Sequence, residues 1–325
     1  MTFNKIAGML AAAVMPCVLL AQAPPAAPAK PDSPEVLALI AKAKKAAGAK
    51  WADEAHFFCE APRANRADDP VIPATKIFDN GYIIGNSGTA AYVFKTSAGL
   101  LMFDSLATNQ VETQLLPGFQ KLGLNPADVK IIVMGHGHAD HFGGSPYFQE
   151  HFGSKVYISK ADWDVMEKPA PADAKKKGPP QVIPKHDADV VEGQPIVLGD
   201  FKMTPYAIPG HTPGSTGYIF QVMDNGKKHT VGIYGGTILT PGPISDDNLK
   251  LYVQSVKKFQ AETKKAKADT IMQNHPLMYN LPAMLDQIQS RKKGDPNPFI
   301  VGGAEYQKFL QTMELCSEAN VARRK

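Results

Sequence analysis

Three histidines and one aspartate lie within residues 136–141, which read HGHADH and directly follow an apolar run. Imidazole nitrogens and carboxylate oxygens are common protein ligands of zinc. On an extended backbone, His136 and His138 project to the same side, so the two rings can bind one ion together. Asp140 and His141 can then reach a second ion. The segment therefore predicts a metal site.

Two other interpretations of this cluster need weighing. A His-rich surface tract could bind metal adventitiously, but four ligand-type side chains at fixed spacing behind a strand are more specific than that. A closed structural zinc site is the second alternative, and cysteines usually build such sites. No cysteine of the sequence lies near residues 136–141, so a reactive metal site is the better interpretation.

Two later histidines occupy places that suit metal ligands. His211 lies in the Pro- and Gly-dense turn 208–216 between two apolar stretches, and a rigid turn holds an imidazole still. His275 precedes Pro276 at the end of a short apolar run, which predicts a position at the end of a strand. Each could singly be a hydrogen-bonded structural histidine; beside the cluster we expect both to be ligands.

This pattern closely resembles the metallo-β-lactamase superfamily, whose members bind one or two zinc ions through His-x-His-x-Asp-His and two later histidines. The resemblance runs from about Lys76 to the C-terminus. It implies two zinc ions per chain, with the first held by His136, His138 and His211. The second ion would be held by Asp140, His141 and His275.

The strand between His211 and His275 indicates which subgroup of the superfamily the chain resembles most. Superfamily thioesterases of the glyoxalase type and many lactonases carry Gly-Asp-Thr there, and the aspartate bridges both ions; this chain has Gly236 in its place. Lactamases of the cysteine-ligand subclass carry Gly-Gly-Cys, but this chain has Thr237, too weak a ligand to replace a thiolate. The chain is therefore most similar to subclass B3.

The resemblance implies a zinc-dependent hydrolase that opens the amide of a β-lactam ring by attack of a zinc-bound hydroxide. Two zinc ions roughly 3.5 to 4 Å apart lower the pKa of a shared water towards ~7. Asp140 would orient this hydroxide and is the expected catalytic residue. A lactone or thioester hydrolase of the same fold remains an alternative. A non-catalytic zinc-binding protein is a third, which the six intact ligand positions argue against.

The residues expected to contact substrate differ from those of subclass B3 enzymes. Subclass B3 enzymes usually offer two serines, two residues apart, to the substrate carboxylate, and those places read Thr237 and Leu239 here. Thr240 is close enough in sequence to substitute for the lost hydroxyl. We therefore expect Thr237 and Thr240 to contact a small-molecule substrate.

The elements that must position these residues alternate along the chain. Strands are expected at 90–95, 100–104, 131–133 and 155–159, and helices at 35–50, 110–122 and after the metal motif. Asp104, at the end of its strand, is expected to brace the ligands. Alternating strands and helices are typical of folds in which helices pack against the faces of β-sheets. The predicted fold is α/β, an αββα sandwich of two mixed sheets, with the metals at one edge by resemblance.

The first two dozen residues are typical of an export signal. Lys5 is followed by an apolar segment too short for a stable bilayer anchor and by a small-residue cleavage region. We therefore expect a signal peptide at 1–23, a leader and helical extension at 24–75, a hydrolase domain at 76–325, and a periplasmic location. In an oxidising compartment, Cys59 and Cys316 are expected to form a disulfide, although two unpaired buried thiols are the alternative.

Composition fits an enzyme better than a nucleic-acid-binding protein. The chain of 325 residues is 44% hydrophobic, enough for a large core, and its formal charge is only +4. No basic stripe with interleaved aromatic residues is present, so no nucleic-acid partner is expected. The basic run 175–177 lies in a Pro-rich stretch, 169–184. This stretch is either a solvated loop or a flap near the metal site.

Overall fold

Two β-sheets form the centre of the structure, a computed structural model that describes residues 31–66, 68–168 and 182–325. The first sheet has seven strands in chain order: β1 (Thr75–Lys76), β2 (Gly81–Gly85), β3 (Ala90–Thr96), β4 (Gly99–Phe103), β5 (Val129–Val133), β6 (Lys155–Ser159) and β7 (Ala188–Val190). Strands β1 to β4 pair antiparallel, whereas β4 to β7 pair parallel.

The second sheet has five strands: β8 (Ile196–Leu198), β9 (Phe201–Ala207), β10 (Thr216–Asp224), β11 (Lys227–Tyr234) and β12 (Thr270–Ile271). Its strands pair antiparallel except for β11 and β12, which run parallel. Strands β10 and β11 form a hairpin whose last pair is Asp224 with Lys227, as the Asp-Asn-Gly turn predicts. Both sheets are therefore mixed.

Helices flank the sheets. In chain order these are α1 (Pro34–Ala47), α2 (Ala52–Cys59), α3 (Leu116–Lys121), α4 (Ala139–Phe142), α5 (Ser145–Phe152), α6 (Lys160–Met166), α7 (Asp246–Lys265), α8 (Leu281–Ser290) and α9 (Gly303–Ala322). No helix of the described residues is both long and apolar enough to cross a bilayer.

The inner faces of the two sheets pack through aromatic side chains. Phe94 on β3 stacks on Phe201 of β9 at a ring separation of 4.9 Å, and Phe103 on β4 meets Tyr218 of β10 at 5.5 Å. On the outer face of the first sheet, Trp163 of α6 is fully buried. The layers are helix, sheet, sheet and helix, so the predicted αββα sandwich is confirmed.

Two local predictions differ from the structure. The predicted helix 110–122 is divided into a 3₁₀ turn, a π-helical stretch (Val111–Leu115) and α3, because Pro117 has no N–H to donate to the preceding turn. His275 does not end a strand, since β12 stops at Ile271. The carbonyl oxygen of Asn274 instead accepts from the N–H of Ala90 at 3.0 Å, which ties this segment to the first sheet.

The N-terminal helices α1 and α2 pack on α9, and a disulfide joins α2 to α9. Cys59, the last residue of α2, forms a disulfide with Cys316 of α9, which confirms the predicted pairing. The predicted signal peptide lies outside the described residues, as do residues 169–181 of the Pro-rich stretch, so the flap and the signal stay predictions. The domain boundary at residue 76 also stays a prediction.

Glu54 of α2 is a buried carboxyl group, and neither of its oxygens has a hydrogen-bond partner among the described residues. Burial raises its pKa well above 4.5, because a charge is costly in an apolar environment. The folded protein therefore binds this proton more tightly than the unfolded chain. The group's contribution to stability is present below about pH 4.5 and is lost as the pH rises towards the folded-state pKa.

A Glu54→Gln variant should therefore gain stability at high pH. Relative to wild type, its free energy of unfolding should rise more at pH 8 than at pH 5, because only the wild-type carboxyl group loses stability as the pH rises. Denaturant unfolding at both pH values measures this difference. Glu112→Gln, a change of an exposed residue, is the matched control. An equal effect of Glu54→Gln at both pH values would contradict the assignment.

Candidate metal centre

The metal motif occupies the connection between β5 and α4. Strand β5 ends at Val133, and the backbone stays extended at His138, with φ −95° and ψ 149°. Helix α4 begins at Ala139, so Asp140 and His141 lie in its first turn. His211 is held by the predicted turn between β9 and β10. The structure brings all six predicted ligands together at one edge of the two sheets.

Three ring nitrogens of the first predicted set converge. His136 Nε2 lies 3.0 Å from His211 Nε2 and 3.1 Å from His138 Nδ1. The other ring nitrogen of His136, Nδ1, lies 2.7 Å from the carbonyl oxygen of Gly235. A carbonyl oxygen only accepts, so Nδ1 carries the proton and Nε2 presents a lone pair to the other two rings.

The second predicted set converges in the same way. His141 Nε2 lies 3.1 Å from His275 Nε2 and 3.2 Å from Asp140 Oδ2. His275 donates through Nδ1 to the carbonyl oxygen of Gly88 at 2.9 Å, and His141 donates through Nδ1 to Asp104 Oδ2 at 2.7 Å. Each ring therefore directs its Nε2 at the shared space. His275 Nε2 and Asp140 Oδ2 are 4.0 Å apart.

This donor chemistry fits bound cations. Nitrogen lone pairs that face each other repel unless a proton or a metal ion lies between them. In a tetrahedral zinc site with Zn–N bonds of about 2.0–2.1 Å, ligand nitrogens lie about 3.3 Å apart, close to the separations here. The groups His136, His138, His211 and His136, His141, His275 each have ligand atoms within 4.8 Å of one another. These residues could hold metal ions.

Most of these imidazoles are neutral, the state that metal binding requires. Burial lowers the pKa values of His136 and His211 well below 6.5, and neighbouring imidazoles lower them further. Burial and the nearby His141 lower the pKa of His275 to about 4. At neutral pH these three rings therefore have free lone pairs.

His141 and Asp140 form the charged part of the centre. Burial opposes the charged form of His141, but the carboxylates of Asp140 and Asp104 outweigh it and raise the pKa to about 10. Burial would likewise raise the pKa of Asp140, but the His141 and His275 rings lower it well below 3.8. The Asp140 carboxylate is therefore ionised at neutral pH and suits a cation.

Asp104 braces the centre, as its place at the end of a strand predicts. Its Oδ1 accepts from the N–H of Gly135 at 2.8 Å, and its Oδ2 accepts from His141 and from Asn274 Nδ2 at 3.0 Å. Its backbone has φ of +56°, which is unfavourable for a residue with a Cβ. Such strain concentrates at functional sites, where surrounding contacts maintain it.

Asp162 is a supporting residue that the sequence analysis missed. It is buried in α6, and its Oδ2 accepts from the N–H of Gly137 and from Thr212 Oγ1, both at 2.8 Å. Its Oδ1 accepts from the N–H of Gly214 at 2.8 Å. The carboxylate thus joins the loop of His136 and His138 to the turn of His211. No motif surrounds Asp162, so its sequence context gives no signal.

Asn65 is the second missed residue. It lies before β1, and its side-chain amide donates to Asp140 Oδ2 at 2.9 Å. Asparagine is common in surface loops, and 75 residues separate it from Asp140. Only the tertiary structure reveals this contact.

Gly236 has no room for a side chain. A Cβ at this position would overlap Cβ and Oγ of Ser215. Ser215 is itself fixed, because its Oγ accepts from the N–H of Thr212 at 3.0 Å and lies 2.7 Å from Thr212 Oγ1. A carboxylate therefore cannot replace Gly236 unless the turn 212–215 moves.

The predicted substrate-contact residues differ in exposure. Thr237 is fully buried, and its hydroxyl donates to the carbonyl oxygen of Tyr234 at 3.3 Å. Its expected contact with substrate stays a prediction. Leu239 is also buried, whereas Thr240 is half-buried. Thr240 is thus the more accessible of the two hydroxyls.

The centre is open on one side. His136, His141 and His275 are buried, whereas His138 is exposed and the Asp140 side chain is 30% exposed. Structural zinc sites are closed, whereas catalytic sites keep a position accessible to water or substrate. An open arrangement of this kind suits chemistry on a small molecule.

Comparisons with known proteins agree with this geometry. The sequence model of the metallo-beta-lactamase superfamily matches residues 84–222. The chain is 29% identical over 109 residues to hydroxyacylglutathione hydrolase GloC of Haemophilus influenzae. That alignment covers 33% of this chain and spans half the length of the relative.

Solved structures extend the similarity beyond the matched segment. The subclass B3 metallo-beta-lactamase BJP-1 of Bradyrhizobium japonicum is 28% identical, with a TM-score of 0.62 over 74% of this chain and 90% of that chain. Native FEZ-1 metallo-beta-lactamase of Legionella gormanii shares the fold at 23% identity, with a TM-score of 0.64 over 78% of this chain and 97% of that one. Together with the mixed-sheet sandwich and the converging ligands, these matches show that the chain has the fold of the metallo-beta-lactamases and that its residues 84–222 match the sequence model of that superfamily.

Proposed function

We propose that this protein is an exported, zinc-dependent hydrolase that opens the amide bond of β-lactams. The observation that carries the proposal is the pair of converging ligand sets, which consist of histidines and one aspartate. Gly236 adds to it, because Ser215 occupies the space that a carboxylate would need there. A carboxylate at this position is typical of the glyoxalase-type thioesterases and of many lactonases of the same superfamily.

Under this proposal, His136, His138 and His211 hold one zinc ion, and Asp140, His141 and His275 hold the other. Bound zinc would supply Lewis acidity, which polarises a carbonyl group and makes water nucleophilic at neutral pH. The protein itself positions the histidine rings. Asp104 and the backbone carbonyl groups fix the ring tautomers.

Asp140 has the central role among the protein groups. Its carboxylate is ionised and partly exposed, so it can accept a hydrogen bond from the attacking water as well as bind a cation. A water held in this way has one lone pair directed at the substrate carbonyl carbon. We propose that Thr240 contacts the substrate from the edge of the cleft.

A lactone or thioester hydrolase is the second candidate. Two observations favour it: the partial similarity to a hydroxyacylglutathione hydrolase, and the buried Leu239 where subclass B3 enzymes usually present a serine. An apolar side chain cannot donate a hydrogen bond to a substrate carboxylate. The candidates therefore differ in substrate, while the metal centre serves both.

A substrate panel separates the candidates. Purified protein lacking residues 1–23 and loaded with zinc is assayed with a carbapenem, a cephalosporin, an acyl lactone and a thioester. We expect the highest kcat/KM with a β-lactam, because Gly236 stands where thioesterases of the glyoxalase type and many lactonases carry a carboxylate. A preference for the lactone or thioester would replace the proposed substrate with the second candidate. Turnover of none of the four by zinc-loaded protein would contradict both.

A further inference from the structure

Asn65 contacts the metal centre from outside the superfamily match at residues 84–222. Its Nδ2 donates one hydrogen to Asp140 Oδ2 at 2.9 Å and the other to Thr89 Oγ1 at 2.8 Å. We propose that Asn65 is a positioning residue that sets how tightly the second metal ion is held. The inference rests on the proposed metal centre, and it concerns a residue that is itself not a ligand.

The side-chain amide of Asn65 contacts the carboxylate oxygen of Asp140 that faces the second ligand set. Asp140 Oδ2 is the same oxygen that lies 3.2 Å from His141 Nε2 and 4.0 Å from His275 Nε2. The hydrogen bond from Asn65 therefore limits rotation of the carboxylate and keeps this oxygen directed at the two rings. Because the amide is neutral, it leaves the negative charge of Asp140 available to the cation.

The residues on either side of Asn65 in the chain are held by Asp69. Arg63 Nη2 donates to Asp69 Oδ1 at 2.9 Å, and the N–H of Arg66 donates to Asp69 Oδ2 at 2.7 Å. The Asp69 side chain is 5% exposed, which strengthens the pairing with Arg63 relative to a surface ion pair. These contacts tie Arg63 and Arg66, on either side of Asn65 in the chain, to one carboxylate and so reduce the freedom of the Asn65 backbone.

Asn65 and Asp69 also pack against the loop of Gly88 and Thr89, which contacts the second ligand set. A Cβ at Gly88 would overlap the Asp69 carboxylate and lie 2.9 Å from Asn65 Cβ, so the two loops are in close contact. The carbonyl oxygen of Gly88 accepts from His275 Nδ1, and Thr89 accepts from Asn65. Asn65 therefore contacts Asp140 directly, and together with Asp69 it packs against the loop that orients His275.

Removal of the amide should weaken the second ion selectively. We expect the Asn65→Leu variant, which keeps the size of the side chain but loses both donors, to bind the second zinc ion about 10-fold to 100-fold more weakly. This is the usual effect of removing a hydrogen-bond partner of a metal ligand. The affinity for the first ion should be unchanged, because Asn65 contacts Asp140 and not the first set.

Competition between the protein and a chromophoric zinc chelator measures the two affinities without any substrate. His211→Ala is the reciprocal variant, which should lose mainly the first ion. Thr89→Val keeps the contact with Asp140 and removes only the second acceptor, so its effect should be smaller than that of Asn65→Leu. Asn248→Leu, at an exposed position in α7, controls for the substitution itself.

The outcomes distinguish this inference from the proposed function. Wild-type protein should bind two zinc ions; failure to bind any would overturn the metal centre and the inference together. Two ions in wild type with equal second-site affinities in Asn65→Leu would overturn the inference alone. If Asn65→Leu does not fold, Asn65→Ala is measured instead, with the melting temperature of the metal-free protein as the test of folding. Equal weakening of both ions in a folded variant would also contradict a positioning role.

Discussion

An Asp140→Asn variant should hydrolyse the best substrate of the wild-type protein more slowly by roughly a hundredfold or more, the scale of losing a preorganised electrostatic contact. The substitution keeps the size of the side chain but removes the charge that faces His141 and His275. It should also weaken the second zinc ion, because a neutral amide is a poorer ligand. Measurement of kcat and zinc content on the same preparation tests both effects.

Two further variants show whether the effect is specific. His275→Ala should reduce turnover similarly, since it removes a ligand of the same proposed ion. Asp164→Asn makes the identical chemical change at an exposed position of α6 and should leave kcat unchanged. If folded Asp140→Asn matched the wild-type rate, the two-ion mechanism would be wrong for this protein.

Loss of the Cys59–Cys316 disulfide should lower the free energy of unfolding by about 2–5 kcal/mol. The bond joins residues separated by 257 positions, so it strongly restricts the unfolded chain. It also fastens α2 to α9, and both cysteines are fully buried. Denaturant unfolding of Cys59→Ser, compared with wild type, measures the loss.

A double-variant cycle separates the bond from the side chains. Because either single change breaks the disulfide, the variant with both Cys59→Ser and Cys316→Ser should be little less stable than either single variant. Thiol titration of denatured, unreduced protein lacking residues 1–23 should find neither cysteine free. Two reactive thiols in exported protein would contradict the bond.

The sequence alone was sufficient to identify the candidate ligands, which the structure brings together, and to predict most of the elements that carry them. His136, His138, Asp140 and His141 are close in sequence, so their spacing on a short segment after a strand fixes their relative placement. Strands β3 to β6 follow from local hydrophobic patterns, which are a property of neighbouring residues. The disulfide was predictable because Cys59 and Cys316 are the two cysteines left after the predicted signal is removed.

The tertiary structure decided what surrounds those ligands. Asn65 reaches Asp140, Asp162 joins two ligand loops, and Ser215 fills the space beside Gly236, each through contacts between segments distant in the chain. The burial of Thr237 is likewise a consequence of packing. Local periodicity carries no information about such contacts, because they depend on which surfaces meet when the two sheets pack. Residue type and local spacing therefore identified the candidate ligands, whereas the fold set their convergence, their supporting contacts and their exposure.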